Sequence, residues 1–373
     1  MGYTSMDTRI FKERVTKIRK QLALDSLEGL LIFTDEFRPS YSLYISDYRP
    51  VENVEISPQG VYISQDELIV FLGEKNMESA KNITWIPDIR DIKGIIPFFQ
   101  QMEVGTRLGL SGIDKIPYFY KKMMDEIAIN IQFSDYDQHI DTLRVIKNVD
   151  EIKLIKEAAR VADRTIVEML EYIHPNNMTE LELAAMGEFI IRKTGMDYGY
   201  DTIVSTGKNT MDKTWRPSHD IIKKGDVVLI NIVPRNNGYC SFVTVTYAIE
   251  NEYAQKICRL SKEIILYMIN NLRQGDSSSR IYDLYYKKVK EYGLLEHFLP
   301  FSDSEKSVGH STGLEVVEPP YFDAKKSVIL EKNMILSLKF NLYNFKFGDV
   351  RFEFNVLIDD KTILLNKCLL NRG

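Results

Sequence analysis

The sequence predicts two domains: a smaller α/β domain over residues 1–141, then a larger α+β domain over residues 142–373. Three observations carry this. The 373 residues exceed what one hydrophobic core usually organises. Up to Asp141, stretches of helical periodicity alternate with short apolar runs, the pattern of helices laid on a sheet. Beyond Asp150, long amphipathic stretches surround segments that alternate polar and apolar residues, which read as antiparallel hairpins.

Ile10, Phe11, Val15, Ile18 and Leu22 give residues 7–24 the period of a helix, and this leads into the strand "GLLIF". Further strands are expected at "GVYIS", "ELIVFLG", "ITWIP" and "RLGLSG", then a helix over 116–127 and the strand "IQFSDY". A long helix opens near Asp150, with Leu154, Ile155, Ala158, Ala159, Ala162, Ile166, Met169 and Leu170 on its apolar face, and ends at His174-Pro175. "TELE" at Thr179–Glu182 is a capping box for the next helix, which stops at Gly195. "GDVVLINIVPRNNGYCSFVTVTYAIE" reads as a hairpin turning at Arg235–Gly238. Helices over 253–271 and 279–292 follow, and in the tail "MILSLKFNLYNF" turns at Gly348-Asp349 into "VRFEFNVLID".

Composition excludes several classes. A net charge of -5 leaves no basic excess to displace phosphate counterions, so no nucleic-acid partner is expected. Lys223-Lys224 and Lys325-Lys326 read as solvated surface. Cys240, Cys258 and Cys368 have neither disulfide nor zinc spacing and fit a reducing compartment. There is no leader-like apolar segment, myristoylation signal or membrane-length apolar run, so a cytoplasmic location is expected.

Of the five histidines, His139 falls in the expected linker, His174 precedes a proline, and His297 sits at a helix end where a charged imidazole is favourable. His219 lies in "RPSHD". His310, in "SVGHSTGLEVVEPP", stands between glycines that let a backbone come close to a ligand. Lys339 and Glu353 occupy alternating strands in the tail. They read either as a half-buried ion pair or, for Glu353 with His310, as a proton-transfer pair.

In this order the motifs resemble the pita-bread family of methionine aminopeptidase, aminopeptidase P, prolidase and creatinase. The stretches that carry the resemblance are "LRVIKNVDEIKLIKEAARVAD", "NNMTELELAA", "YDTIVSTG", "KKGDVVLINIVPRNNGYCSFVTVTYAI", "VGHSTGLEVVEPP", "LEKNMILSLKFNLY" and "DVRFEFNVLI". It implies a C-terminal pita-bread domain behind a creatinase/prolidase-type N-terminal domain. The family's five metal-ligand positions would fall on Asn231, Phe242 (eleven residues later), His310, Lys339 and Glu353. Two further family histidines would be replaced by Thr214 and Val317.

A pair of dications needs carboxylates for charge and for bridging oxygens. No metal or other cofactor is therefore expected, with Lys339 and Glu353 paired in the former metal cavity. By analogy with creatinase, the expected function is that of a metal-independent creatinase/Xaa-Pro-peptidase-like enzyme and not a conventional metallopeptidase: acid/base hydrolysis of a C–N bond, or a related reaction, in a small amino-acid-derived or guanidino-type substrate. His310, Glu353 and Lys339 would be catalytic. Arg351, Glu318, Asn231, Phe242, Thr244, Arg216, His219 and Arg49 would bind substrate. The alternative is a catalytically inactive relative that binds a peptide, protein or small ligand. "RPSYSLYISDYRP" matches a region that in two-domain members reaches the partner's site, so a homodimer is expected, with Arg38 or Arg49 contributing across it.

Overall fold

A computed structural model describes residues 6–49, 57–127, 131–298, 307–322 and 327–369. Lys325 and Lys326 lie outside the described residues. The chain divides into two compact units, Met1–Arg144 and Val145–Gly373.

In the first unit the order is α1 (Thr8–Leu24), β1 (Gly29–Thr34), α2 (Ser40–Ser46), β2 (Gln59–Ser64), β3 (Leu68–Leu72), α3 (Glu74–Lys81) and β4 (Ile89–Asp91). Then come α4 (Ile95–Gln100), β5 (Thr106–Ser111), α5 (Tyr118–Ile127), β6 (Ile131–Asp135) and α6 (Asp137–Val145). The strands form one sheet in the order β4-β3-β2-β1-β5-β6. β1 is parallel to β5 and antiparallel to β2, so the α/β reading gains an antiparallel hairpin on one side. The strand expected at "ITWIP" is displaced to Ile89–Asp91. Pro87 has no N–H for a ladder, and Trp85 is held instead by its indole N–H, which donates to the Ile45 carbonyl at 2.7 Å.

The second unit continues with α7 (Val149–Glu171), α8 (Glu180–Lys193), β7 (Asp197–Tyr198), β8 (Ile203–Thr206), β9 (Val227–Ile232), β10 (Pro234–Asn236), β11 (Tyr239–Cys240) and β12 (Val243–Ala248). After these come α9 (Glu252–Asn271), α10 (Ser279–Glu291), α11 (Leu295–Phe298), β13 (Gly309–Ser311), β14 (Glu318–Phe322), β15 (Ile335–Phe345), β16 (Gly348–Leu357) and β17 (Ile363–Leu364). Both long helices open on reciprocal capping boxes, Asn148 with Glu151 and Thr179 with Glu182.

The main sheet runs β14-β13-β15-β16-β12-β9-β8, with β17 added to β16. β9 and β12 pair as the predicted hairpin. Their connection, however, carries a second small hairpin, β10–β11, turning at Asn237-Gly238, both at positive φ (46° and 89°). An Asn-Gly pair suits that primed turn. The tail hairpin closes at Lys346-Phe347, earlier than expected, because Gly348 already pairs with Phe345.

Side chains alternate across this sheet. Ile230, Val243, Val245, Leu336, Leu338, Phe340, Phe352, Phe354 and Val356 point to one face and join Ile257, Ile264, Met268, Ile281 and Tyr285 of α9 and α10 in the core. The opposite face carries the polar residues.

Candidate functional site

The site is a row across four strands. Asn231 of β9 faces Thr244 of β12, Thr244 faces Glu353 of β16, and Glu353 faces Lys339 of β15. His310 of β13 faces Ser337, two residues before Lys339. Period-two alternation in each strand puts all of these on the non-core face. Gly309 sits at φ 153°, and a Cβ there would stand 2.3 Å from the Ser337 carbonyl oxygen. Glycine is thus what lets β13 pair close to β15 and deliver His310 to the row.

The groups converge on one carboxylate oxygen. Ser337 Oγ donates to Glu353 Oε1 at 3.0 Å. Lys339 Nζ stands 3.9 Å from the same oxygen and His310 Nε2 3.2 Å from it. His310 Nδ1–H donates to the Ser311 carbonyl at 2.8 Å, which fixes the ring. Its Nε2 approaches Glu353 without the alignment of a hydrogen bond. Burial works against ionising Glu353, but the Lys339 charge and the His310 and Ser337 groups together hold its carboxyl below the usual range.

This charge balance gives a signed prediction. A depressed carboxyl stabilises the fold above its unfolded pKa and loses that contribution as pH falls through the folded value. Lys339→Met is expected to cost about 1–3 kcal/mol at pH 7, with the gap to wild type closing below about pH 4. Urea denaturation between pH 3 and 8 checks this, and a gap independent of pH would refute the pairing.

Asn231 Nδ2 donates to Thr244 Oγ1 at 2.7 Å. Asn355 Oδ1 accepts from Ser241 Oγ (2.7 Å) and from the Phe242 backbone N–H (2.9 Å). That clamp sets Phe242 edge-on to His310, with ring centroids 6.4 Å apart. Three polar atoms on this face, Asn231 Oδ1, Asn341 Oδ1 and Asn355 Nδ2, have no hydrogen-bond partner among the described residues. Arg351 lies two residues before Glu353 on the same strand and is partly exposed. Its backbone N–H donates to Thr246 Oγ1 and its carbonyl accepts from the same hydroxyl, both at 2.9 Å.

The remaining expected binding residues belong to other elements. Glu318 is buried and committed to Lys147, with Nζ–Oε1 at 2.6 Å, so its carboxylate is not open to substrate. Arg216 and His219 are exposed on a loop, where Arg216 approaches Asp201 at 3.9 Å. Arg49 belongs to the first unit. Thr214 and Val317 are also exposed. His297 is no simple helix-end histidine: it donates from Nδ1 to the Tyr343 carbonyl at 2.7 Å and stacks on Phe345.

Sequence reasoning missed Glu180. It is fully buried and accepts five hydrogen bonds: from Thr206 N–H, Asn209 Nδ2, Trp215 Nε1, Ser218 N–H and Ser218 Oγ, at 2.7–3.0 Å. This carboxylate ties the "WRPS" loop to α8. An acid in the first turn of a helix is ordinary, so nothing in "TELE" separates Glu180 from the capping Glu182.

The five positions that the pita-bread resemblance marks for metal do not fit two dications. Phe242 has no donor atom, Asn231 has no charge, and Lys339 brings a positive charge to within 3.9 Å of Glu353, the one carboxylate among them. No cluster of three or more His, Cys, Asp or Glu suited to a metal ion occurs among the described residues. No helix among them is long and apolar enough to cross a membrane.

Residues 153–360 match the model of metallopeptidase family M24. An Xaa-Pro dipeptidase of Pyrococcus furiosus is 26% identical over 352 residues, covering 94% of this chain and 96% of that protein. An uncharacterized peptidase of Methanocaldococcus jannaschii is 30% identical over 79% of this chain and 80% of its own length. The crystal structure of the prolidase from Pyrococcus horikoshii superposes with a TM-score of 0.83 at 26% identity, covering 95% of this chain and 98% of that one. The mixed architecture is that of this group. The expected reaction is not: a creatinase-like, metal-independent hydrolysis of a guanidino-type substrate is overturned by a match to metallopeptidases whose named relatives are Xaa-Pro dipeptidases.

Proposed function

Since the chain belongs to metallopeptidase family M24, we propose that its second unit recognises short peptides of the Xaa-Pro type on the polar face of the main sheet. The observation that carries this is the set of polar atoms without a hydrogen-bond partner among the described residues, Asn231 Oδ1, Asn341 Oδ1 and Asn355 Nδ2, gathered on one face. Buried polar groups are costly when unpaired, and a peptide supplies both the N–H donors and the carbonyl acceptors that would satisfy them. The names of the relatives, Xaa-Pro dipeptidases, support the ligand class. Phe242, edge-on to His310, offers an apolar surface suited to a proline ring.

The proposal is one of recognition. Hydrolysis by the machinery of two dications is not part of it, because Asn231, Phe242 and Lys339 do not supply that machinery. Calorimetric titration of the full chain with Gly-Pro and Gly-Gly tests it. Gly-Pro is expected to bind at least about tenfold more tightly, as one buried apolar contact of a kilocalorie or two requires. Asn231→Leu is expected to weaken it. Equal affinity for the two dipeptides would sink the reading, and so would Gly-Pro turnover that depends on added Mn²⁺ or Co²⁺.

A further inference from the structure

We infer that the groove between α1 and α6 of the first unit is a second binding site, one that takes a small aromatic anion. The two helices lie side by side and run in opposite directions. At the end of α1, Asp25 Oδ2 accepts the hydroxyl of Tyr136, which stands just before α6, at 2.7 Å. Towards the other end, the Arg14 guanidinium lies over the Tyr44 ring, and the Tyr44 hydroxyl donates to the Leu143 carbonyl at 3.0 Å. Between the helices is an open groove of about 510 Å³, a volume within the range of small-molecule sites. Lys17, Lys20, Leu24, Tyr136, His139 and Leu143 are among the residues that line it. All of them belong to the first unit, so this site does not depend on the peptide reading of the second.

One end of the groove is aromatic and apolar. His139 stacks on Tyr136 with ring centroids 4.1 Å apart and planes inclined by 9°. Tyr136 is itself buried and fixed by its bond to Asp25, whose other oxygen accepts Gln21 Nε2 at 3.0 Å. The imidazole is thus held by one face, while 45% of its side chain stays exposed. Leu24 is 77% exposed. A single exposed leucine needs no explanation, but this one shares a groove with a fixed aromatic stack. That combination is a surface on which a planar apolar group packs favourably.

The other end is cationic. Lys17 and Lys20 are exposed, and neither forms an ion pair among the described residues. The acids around them are committed. Asp25 accepts from Gln21 and Tyr136 and has His139 Nε2 at 3.7 Å. Asp137 accepts the Gly112 N–H at 2.6 Å, and Asp141 the Tyr41 hydroxyl at 3.0 Å. Leu24 lies two helical turns along from Lys17, about 10 Å. The groove therefore fits a ligand of about that length, planar and apolar beside His139 and Leu24 and negatively charged beside Lys17 and Lys20. Lysine stems can cover the apolar body while their ammonium groups meet the charge from the rim.

Titration of the full chain at pH 7 with 2-naphthoate, 2-naphthamide and acetate, followed by calorimetry and by NMR of the histidine rings, tests the site. Naphthoate is expected to shift the His139 resonances and leave those of His310 in place. In the wild type it should bind about fivefold more tightly than the amide, the upper end of what exposed ion pairs contribute, and the preference should fade as salt is added. Acetate, which has the charge without the ring, should not bind measurably. His139→Ala should weaken both aromatic probes about fivefold. Lys17→Gln/Lys20→Gln should lower naphthoate to the affinity of the amide and leave the amide unchanged; glutamine matches lysine in helix propensity, so α1 is kept. Equal affinity for acid and amide, acetate binding as tightly as naphthoate, shifts confined to His310, or no binding of naphthoate at millimolar concentration would each overturn the site. The comparison of the three probes in the wild type needs no variant, so a folding defect in a variant cannot mask the result.

Discussion

Glu180→Ala is expected to destabilise the second unit by about 3–4 kcal/mol, among the larger single-site effects in the molecule. Glu180 is fully buried and, among the described residues, accepts from Thr206 N–H at 2.7 Å, Trp215 Nε1 at 2.8 Å and Ser218 N–H at 3.0 Å. Truncation leaves each of these donors without its acceptor. The loop donors regain water, but Thr206 lies in β8 beside the core strand β9 and cannot do so freely. Glu180→Gln keeps one oxygen and turns an NH₂ group toward donors, so a smaller loss of about 2 kcal/mol is expected. Of the chain's two tryptophans, Trp85 lies in the first unit and Trp215 on this loop. In a Trp85→Phe background, Trp215 fluorescence would therefore report the loop. Glu180→Ala should red-shift it before global unfolding in urea. A stability loss under 1 kcal/mol with unchanged Trp215 emission would show that the carboxylate is replaceable.

The parts of this molecule that were legible in the sequence are those written in local periodicity. Alternation in "MILSLKF" and "VRFEFNV" put Lys339 and Glu353 on one face of adjacent strands, and the ladder pairs them directly. The capping boxes and most helices could be read because their signals lie within four residues of one another. What failed was less local. Apolar content alone marks "ITWIP" as a strand, whereas Pro87 and the bond from Trp85 to Ile45 move the pairing segment to Ile89–Asp91. Its motif marks Glu318 as a ligand-binding acid. Its partner Lys147 is 171 residues away in sequence, and no spacing rule connects them. Arg351 is legible as a candidate, but its place opposite Asn341, whose side-chain oxygen has no hydrogen-bond partner among the described residues, is visible only once the register is known.

Lys147→Met is expected to cost about 3–5 kcal/mol, because it removes one partner of a buried ion pair and leaves the other behind. Lys147 Nζ and Glu318 Oε1 are 2.6 Å apart, with 1% and 3% of the side chains exposed. The surroundings leave little room to relax. A Cβ on Gly313 would already stand 2.5 Å from Glu318 Oε1 and 3.1 Å from Lys147 Cε, so the turn after β13 is shaped around this pair. Methionine fills much of the lysine's volume without its charge, so the penalty comes from the buried Glu318 carboxylate that loses the lysine's positive charge. One measurement separates that cause from lost packing. Lys147→Met/Glu318→Leu should recover a large part of the stability, since an apolar pair removes the buried carboxylate together with its lysine. The pair reaches the site through one step of the ladder: Glu318 is in register with Ser311, whose carbonyl accepts the His310 Nδ1–H at 2.8 Å. A shift in β14 therefore turns the imidazole that faces Glu353. Lys147→Met should weaken Gly-Pro binding and change the His310 ring resonances, while Glu180→Ala, acting on a different loop, should leave those resonances in place. A double variant no more stable than Lys147→Met would assign the cost to packing, and unchanged His310 resonances would detach this pair from the site.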